Sequence, residues 1–193
     1  MASTITAWNP TYPERSGNRK PACRQRIQES AMSISNTLDS CLRSKGCLYE
    51  VIRHPHTHTS TETAQSAHVP GDRLAKTLLL EDKYGYVAAV LPSTYHLHLS
   101  ELQKQSGRYE LTLSDESELR EVFKDCDMGA VPPVGMAYGM PTFVDDSLMQ
   151  HRDVYFEAGD HENLVHMDMD QFMALMRDAQ TARFAHRMQG ILF

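Results

Sequence analysis

The segment RLAKTLLLE, residues 73–81, decides the architecture. Its period-two alternation sets Leu74, Lys76, Leu78 and Leu80 on one side of a strand and Arg73, Ala75, Thr77 and Leu79 on the other. After Asp82-Lys83-Tyr84 comes a second apolar run, GYVAAVL (85–91), and the pair predicts a β-hairpin. Lys76 interrupts the more apolar face. An ammonium placed there needs a partner, a cavity or a ligand, because burying it alone is costly. An edge-strand lysine whose stem snorkels to water satisfies the same pattern.

Working outward from the hairpin, Leu48 to Arg53, Pro141 to Asp145, Asp153 to Ala158 and Asn163 to Met167 read as further short strands. Ser35 or Asn36 can cap a helix whose Leu38, Cys41 and Leu42 share a face and which Gly46 ends. Ser60 can open a short helix through Ala67, and Ser100 and Ser114 can each begin another. Asp168 can cap a last helix with Phe172, Leu175 and Met176 as its apolar stripe. Strands and helices mixed in this order predict one α/β or α+β domain.

At 193 residues the chain has room for one domain with a tail, and 41% hydrophobic with 23% charged residues excludes a fibrous or wholly disordered polymer. No apolar run approaches the roughly 18 residues of a membrane helix, and the N-terminus lacks the apolar stretch of a secretory signal, so a soluble protein is expected. Cys23, Cys41, Cys47 and Cys126 form no CxxC pair, which argues against a disulfide framework or zinc ribbon and for a reducing, cytoplasmic setting. Residues 1–31 carry five basic and two acidic side chains, a balance of +3. The other 162 residues carry 14 and 23, a balance of −9. So acidic a body does not grip DNA or any long nucleic acid by general phosphate neutralisation, and a nucleic-acid partner has to be held at a small local site. The prolines and glycine of residues 1–31 predict a mobile tail.

Three further segments carry chemistry. Gly129-Ala130-Val131-Pro132-Pro133-Val134-Gly135 has two prolines between glycines, fixing a loop while letting backbone amides approach a ligand; a rigid connector has the same composition. Gly159-Asp160-His161-Glu162-Asn163 lies at a strand end, where His161 can carry a proton and Asp160 or Glu162 can orient it; a solvated turn explains the same residues. His54, His56 and His58 alternate along an extended segment and, pointing one way, can bind a borderline metal, with His68, His96 and His98 as additional candidates. No HExxH, GxSxG, Walker loop or dinucleotide fingerprint accompanies them.

Taken in order, TSTETAQSAHVPGDRLAKTLLLED, YVAAVLPS, GAVPPVG, YGMPTFVDDSL and VYFEAGDHENLV resemble the YbaK family, free-standing relatives of the editing domain of bacterial prolyl-tRNA synthetases. The likeness runs from about Leu38 to Met176 and rests on the ordered set of segments. It implies a compact mixed, partly barrel-like β-sheet flanked by helices, with residues 1–31 as a tail, 32–180 as the editing domain and 181–193 as an extension. It further implies hydrolysis of amino acids wrongly attached to tRNA, often tRNA-Pro carrying Ala, Cys or Ser, without a cofactor or resident metal. The partners so implied are the acceptor end of aminoacyl-tRNA and an aminoacyl-tRNA synthetase, with neither membrane nor DNA involved. On this resemblance Lys76, His161 and Asp160 are the catalytic candidates, and Gly129, Ala130, Val131, Pro132, Pro133, Gly135 and Gly159 the substrate-binding ones. Thr59, Ser60 and Thr61 either line the pocket or cap the helix that follows. The competing expectations are a binding module that holds an aminoacyl end without turnover, and a metal hydrolase built on His54, His56 and His58.

Overall fold

The computed structural model of the chain describes residues 34–187, so the expected tail lies outside the described residues. Helix α1 (Asn36–Lys45) starts where the Ser35 hydroxyl accepts from the Leu38 amide and stops at Gly46, whose φ of 63° is left-handed. Strand β1 (Glu50–Arg53) leads to α2 (Ser60–Ser66), capped by Thr59, which accepts from Glu62 N at 3.2 Å. Thr59 is thus a helix cap. The hairpin forms as read, with β2 (Leu74–Asp82) and β3 (Gly85–Pro92) antiparallel and Asp82 opposite Gly85.

Strands β4 (Tyr95–Leu97) and β5 (Thr112–Leu113) flank α3 (Leu99–Ser106), and α4 (Glu116–Val122) begins with a reciprocal capping box between Asp115 and Glu118. The start of α4 is therefore one residue beyond the Ser114 cap that the sequence suggests, because Asp115 accepts from two amides of the first turn. Then come β6 (Thr142–Asp145), β7 (Asp153–Glu157), β8 (Asn163–Asp168), α5 (Met169–Leu175), β9 (Gln180–Ala182) and β10 (Ala185–Arg187). No described helix is long and apolar enough to cross a membrane.

The main sheet runs β1-β8-β7-β2-β3-β6-β9, with β5 also pairing β2, and β4 with β10 makes a separate ribbon. Pairs β2/β7, β3/β6 and β6/β9 are parallel, so the sheet is mixed. Because β3 occupies one edge of β2 along its length, β7 and β5 must share the other. There β7 covers only Leu74 and Ala75, and β5 only Leu80 and Glu81. Among the described residues, the stretch beginning at Lys76 therefore has no partner strand on that edge.

Both faces of the sheet are covered. On one, α1 and α5 close over Phe156, Val154, Val90 and Val165, with Phe172, Leu175 and Met176 buried as the stripe predicts. On the other, Leu80, Val87, Ala89 and Leu91 pack beneath α3, while α2 covers Leu74 and Leu164. Each large aliphatic or aromatic side chain buried this way contributes roughly 1.5–3 kcal/mol of hydrophobic stabilisation.

Candidate active site

Lys76 shares its face of β2 with Leu74 and Leu80, as the alternation requires. Its stem is half-buried, and its ammonium donates to the carbonyl of Ser93 at 3.2 Å. Burial lowers its pKa, and no neighbouring charge offsets that effect. The parallel register pairs Leu74 with Tyr155 and Ala75 with Phe156 and goes no further, so Lys76 is the first residue of β2 past the β7 pairing. The amine therefore emerges where β7 parts from β2, and among the described residues no carboxylate forms an ion pair with it.

The two later turns meet each other. His161 has a φ of 56°, left-handed for a non-glycine residue, in the connection from β7 to β8. Its Nε2 lies 2.6 Å from the carbonyl of Met128. A carbonyl only accepts, so this nitrogen carries the hydrogen. Gly129 follows directly at a φ of +91°, and a Cβ there would stand 3.2 Å from Cε1 of His161. Asp127 N donates to Gly159 O at 2.7 Å, tying the same two turns a second time. At Gly159, with φ +123°, a side chain would press on Ser35, its Cβ only 2.9 Å away.

Asp160 differs from its expected part. Its carboxylate accepts from Glu162 N, Asn163 N and the Asn163 side-chain amide, at 3.1, 2.9 and 2.6 Å. Those donors belong to the turn, so Asp160 builds the bend that presents His161 and does not hold the ring. The loop 129–135 differs in a similar way: Gly129 is exposed, whereas Ala130, Val131, Pro132, Pro133 and Gly135 are buried. Val131 packs with Leu79 and Ala88 on the face opposite Lys76, and an added Cβ on Gly135 would meet Ala88 Cβ at 2.4 Å. Only the Gly129 end reaches His161, and the remainder anchors the loop to the sheet.

The histidine segment does not point one way. His54 is 5% exposed and aims inward, whereas His56 and His58 are exposed. Among the described residues, no group of three or more His, Cys, Asp or Glu side chains is arranged to hold a metal ion. His56 instead packs near His161, ring centroids 5.5 Å apart. An open cavity of about 460 Å³ lies outside, lined by Arg53, His54, Pro55, His56 and Glu162.

Sequence reasoning missed Glu157. It ends β7, is 4% exposed, and accepts from the Thr63 hydroxyl of α2 at 2.8 Å through Oε1. Burial raises its carboxyl pKa. Thr63 and the imidazoles of His161 and His54 pull it partly back, and Asp160 pushes it up. The only clue in the sequence is the alternation of DVYFE, which puts Glu157 with Tyr155 and opposite Val154 and Phe156.

The family model for the aminoacyl-tRNA editing domain matches residues 54–175. A protein of Enterococcus faecalis named as a Cys-tRNA(Pro)/Cys-tRNA(Cys) deacylase, EbsC, is 31% identical over 104 residues, 53% of this chain and 63% of its own length. A proline–tRNA ligase of Maridesulfovibrio salexigens is 27% identical over 157 residues, 81% of this chain and 26% of the ligase. The chain thus spans less than two thirds of either relative. A solved structure described as a trans-editing enzyme for prolyl-tRNA synthetase superposes with a TM-score of 0.68 at 24% identity, covering 78% of this chain and 95% of that one. The fold is therefore the one that the resemblance implies.

Proposed function

Because this chain belongs to the aminoacyl-tRNA editing domain family, we propose that it hydrolyses the ester joining a wrongly attached amino acid to the 3′ end of a tRNA. The substrate class is tRNA-Pro bearing a small residue such as Ala, Cys or Ser, met in the cytoplasm after a synthetase has released it. What supports this reading at the level of single residues is Lys76, a half-buried ammonium with no counter-ion among the described residues, at the point where the sheet opens. A site so built favours an anion, whether a developing oxyanion or the terminal phosphate.

Attack is by water, with no covalent enzyme intermediate. The thiols of Cys41, Cys47 and Cys126 all have pKa values raised by burial, the opposite of an activated nucleophile. An ester is already labile, so positioning supplies much of what is needed. Lys76 stabilises negative charge, the exposed Gly129 end of the loop receives the carbonyl region, and a neighbouring ribose hydroxyl of the substrate orients the water. His161, with its turn held by Asp160, orients the substrate or moves a proton. Discrimination by pocket size is worth only about 1–3 kcal/mol per methylene, so selectivity is modest.

Deacylation of Ala-, Ser-, Cys- and Pro-tRNA by the purified chain tests the reading. At least one mischarged tRNA is expected to lose its amino acid well above the spontaneous rate. Saturable binding of a charged tRNA with no hydrolysis would replace the enzyme by a binding module.

A further inference from the structure

The segment from His54 to His58 is pinned from within and faces outward. His54 and Thr57 are its buried anchors, 5% and 6% exposed. His54 N donates to Glu162 O at 2.8 Å, and the hydroxyls of Thr57 and Thr63 pair at 2.8 Å, which fastens the segment to the connection from β7 to β8 and to α2. His58 N donates to the Glu62 carboxylate at 3.0 Å and ties down the far end. Pro55, His56 and His58 are left exposed. With the backbone held at both ends and φ of Pro55 set by its ring, the two exposed imidazoles are in place before a ligand arrives.

The rings form a series that leads to the proposed site. The centroids of His58 and His56 are 5.1 Å apart with planes at 65°, and those of His56 and His161 are 5.5 Å apart with planes at 50°. His161 in turn donates to the Met128 carbonyl next to Gly129. His56 is also a wall of the open cavity of about 460 Å³, with Arg53, Pro55 and Glu162 beside it. That size falls within the roughly 300–1,000 Å³ of small-ligand sites. Tilted against one another, the rings do not make one flat shelf for the end of a duplex. Each offers its own surface, which suits single-stranded bases that splay apart. Charge adds little here, because Arg53 and Glu162, 3.4 Å apart and both exposed, offset each other, and the body around them is acidic. A nucleic acid at this wall is therefore held through ring faces and not through general attraction of its phosphates.

We propose that His56 and His58 are a stacking platform for the last unpaired nucleotides of the tRNA acceptor end, with Arg53 turning from Glu162 to an adjoining phosphate. This rests on the reading of Gly129 and His161 as parts of an editing site: the ester lies there, and the preceding nucleotides run outward over His56 and then His58. The exchange at Arg53 is easy, since an exposed ion pair at 3.4 Å contributes little, whereas a guanidinium meets a phosphate through two parallel hydrogen bonds. The platform selects no particular base, because every base has a π-face. It fixes the register in which the strand enters the site.

Fluorescence anisotropy with the full chain and a labelled RNA minihelix carrying a short unpaired 3′ end, beside a blunt-ended minihelix of the same duplex, tests the proposal. Wild type is expected to bind the overhung RNA and not the blunt one. His56→Ala and His58→Ala are each expected to weaken that binding between about fivefold and a hundredfold, whereas His56→Phe, which keeps a flat ring without polar atoms, stays within about threefold of wild type. Abasic sugars in place of the terminal bases are expected to weaken wild-type binding similarly and to leave His56→Ala without further effect. Arg53→Ala is read in the salt dependence, where it lowers the slope by about 0.7, and the histidine variants leave that slope as it is. In deacylation of a mischarged tRNA, His56→Ala is expected to raise KM with kcat little changed. No binding by wild type, equal binding of overhung and blunt RNA, equal affinity in wild type and both alanine variants, or a His56→Phe as weak as His56→Ala overturns the proposal. Should the alanine variants not fold, an unchanged affinity of wild type for the abasic RNA overturns it equally. A chain that binds the overhang as expected but deacylates nothing removes the editing reading and keeps the platform. Deacylation that the histidine variants leave untouched keeps the editing reading and removes the platform.

Discussion

A lysine among leucines is visible in the sequence, because RLAKTLLLE states both the face and the interruption; what it leaves out is the company the lysine keeps. Lys76 is half-buried with Ser93 O as acceptor, just past the last residue of β2 that pairs with β7. Glu157 escapes a reading of the sequence for a physical reason: a polar residue at a strand end is usually solvated, and its burial against Thr63 of α2 shows only in the fold. Asp160 and His161 are adjacent in sequence, yet they act on different partners, since the carboxylate is consumed by turn amides. Gly129 is where a single methyl is most informative. Gly129→Ala imposes a left-handed φ of +91° on a residue with a Cβ and sets that Cβ 3.2 Å from His161. The expected outcome is a loss of about 1–2 kcal/mol in chemical denaturation and a drop in deacylation larger than that loss explains, read as kcat at a temperature where the variant is fully folded.

Elements with strong end signals or long alternation were legible. The hairpin, the Ser35 and Gly46 ends of α1, and the stripe of α5 all follow from local chemistry. Strands β4, β5, β9 and β10 were not, because two or three residues are too few to show a period, and their pairing partners are distant in sequence. Strand β9 crosses the boundary drawn at residue 180 and pairs with β6. The connection from β9 to β10 hangs on Asp145, fully buried at the end of β6, which accepts from Phe184 N at 2.8 Å and Ala185 N at 2.7 Å. Asp145→Ala strands both amides. Urea unfolding is expected to show a loss of roughly 3 kcal/mol, and a change below about 0.5 kcal/mol would mean that those amides find other acceptors.

For the whole molecule, charge sets how RNA is met. With −9 on residues 32–193, the proposed reading concentrates tRNA binding at the acceptor end, with little grip expected along the duplex. The logarithm of kcat/KM against the logarithm of salt concentration, between about 50 and 200 mM, is accordingly expected to have a slope no steeper than about −3. A slope near −8 would point to an extended basic footprint that the sequence does not supply. The mixed sheet opens at Lys76 because two strands share one edge of β2 without meeting, and the proposed chemistry rests on an ammonium there that, among the described residues, has no carboxylate partner and so favours an anion. Single-turnover hydrolysis of the mischarged tRNA that the panel selects, by wild type and by Lys76→Ala, tests this most directly. A fall on the order of a hundredfold, with the variant folded as wild type, is the result expected. Equal rates in the two proteins would contradict it.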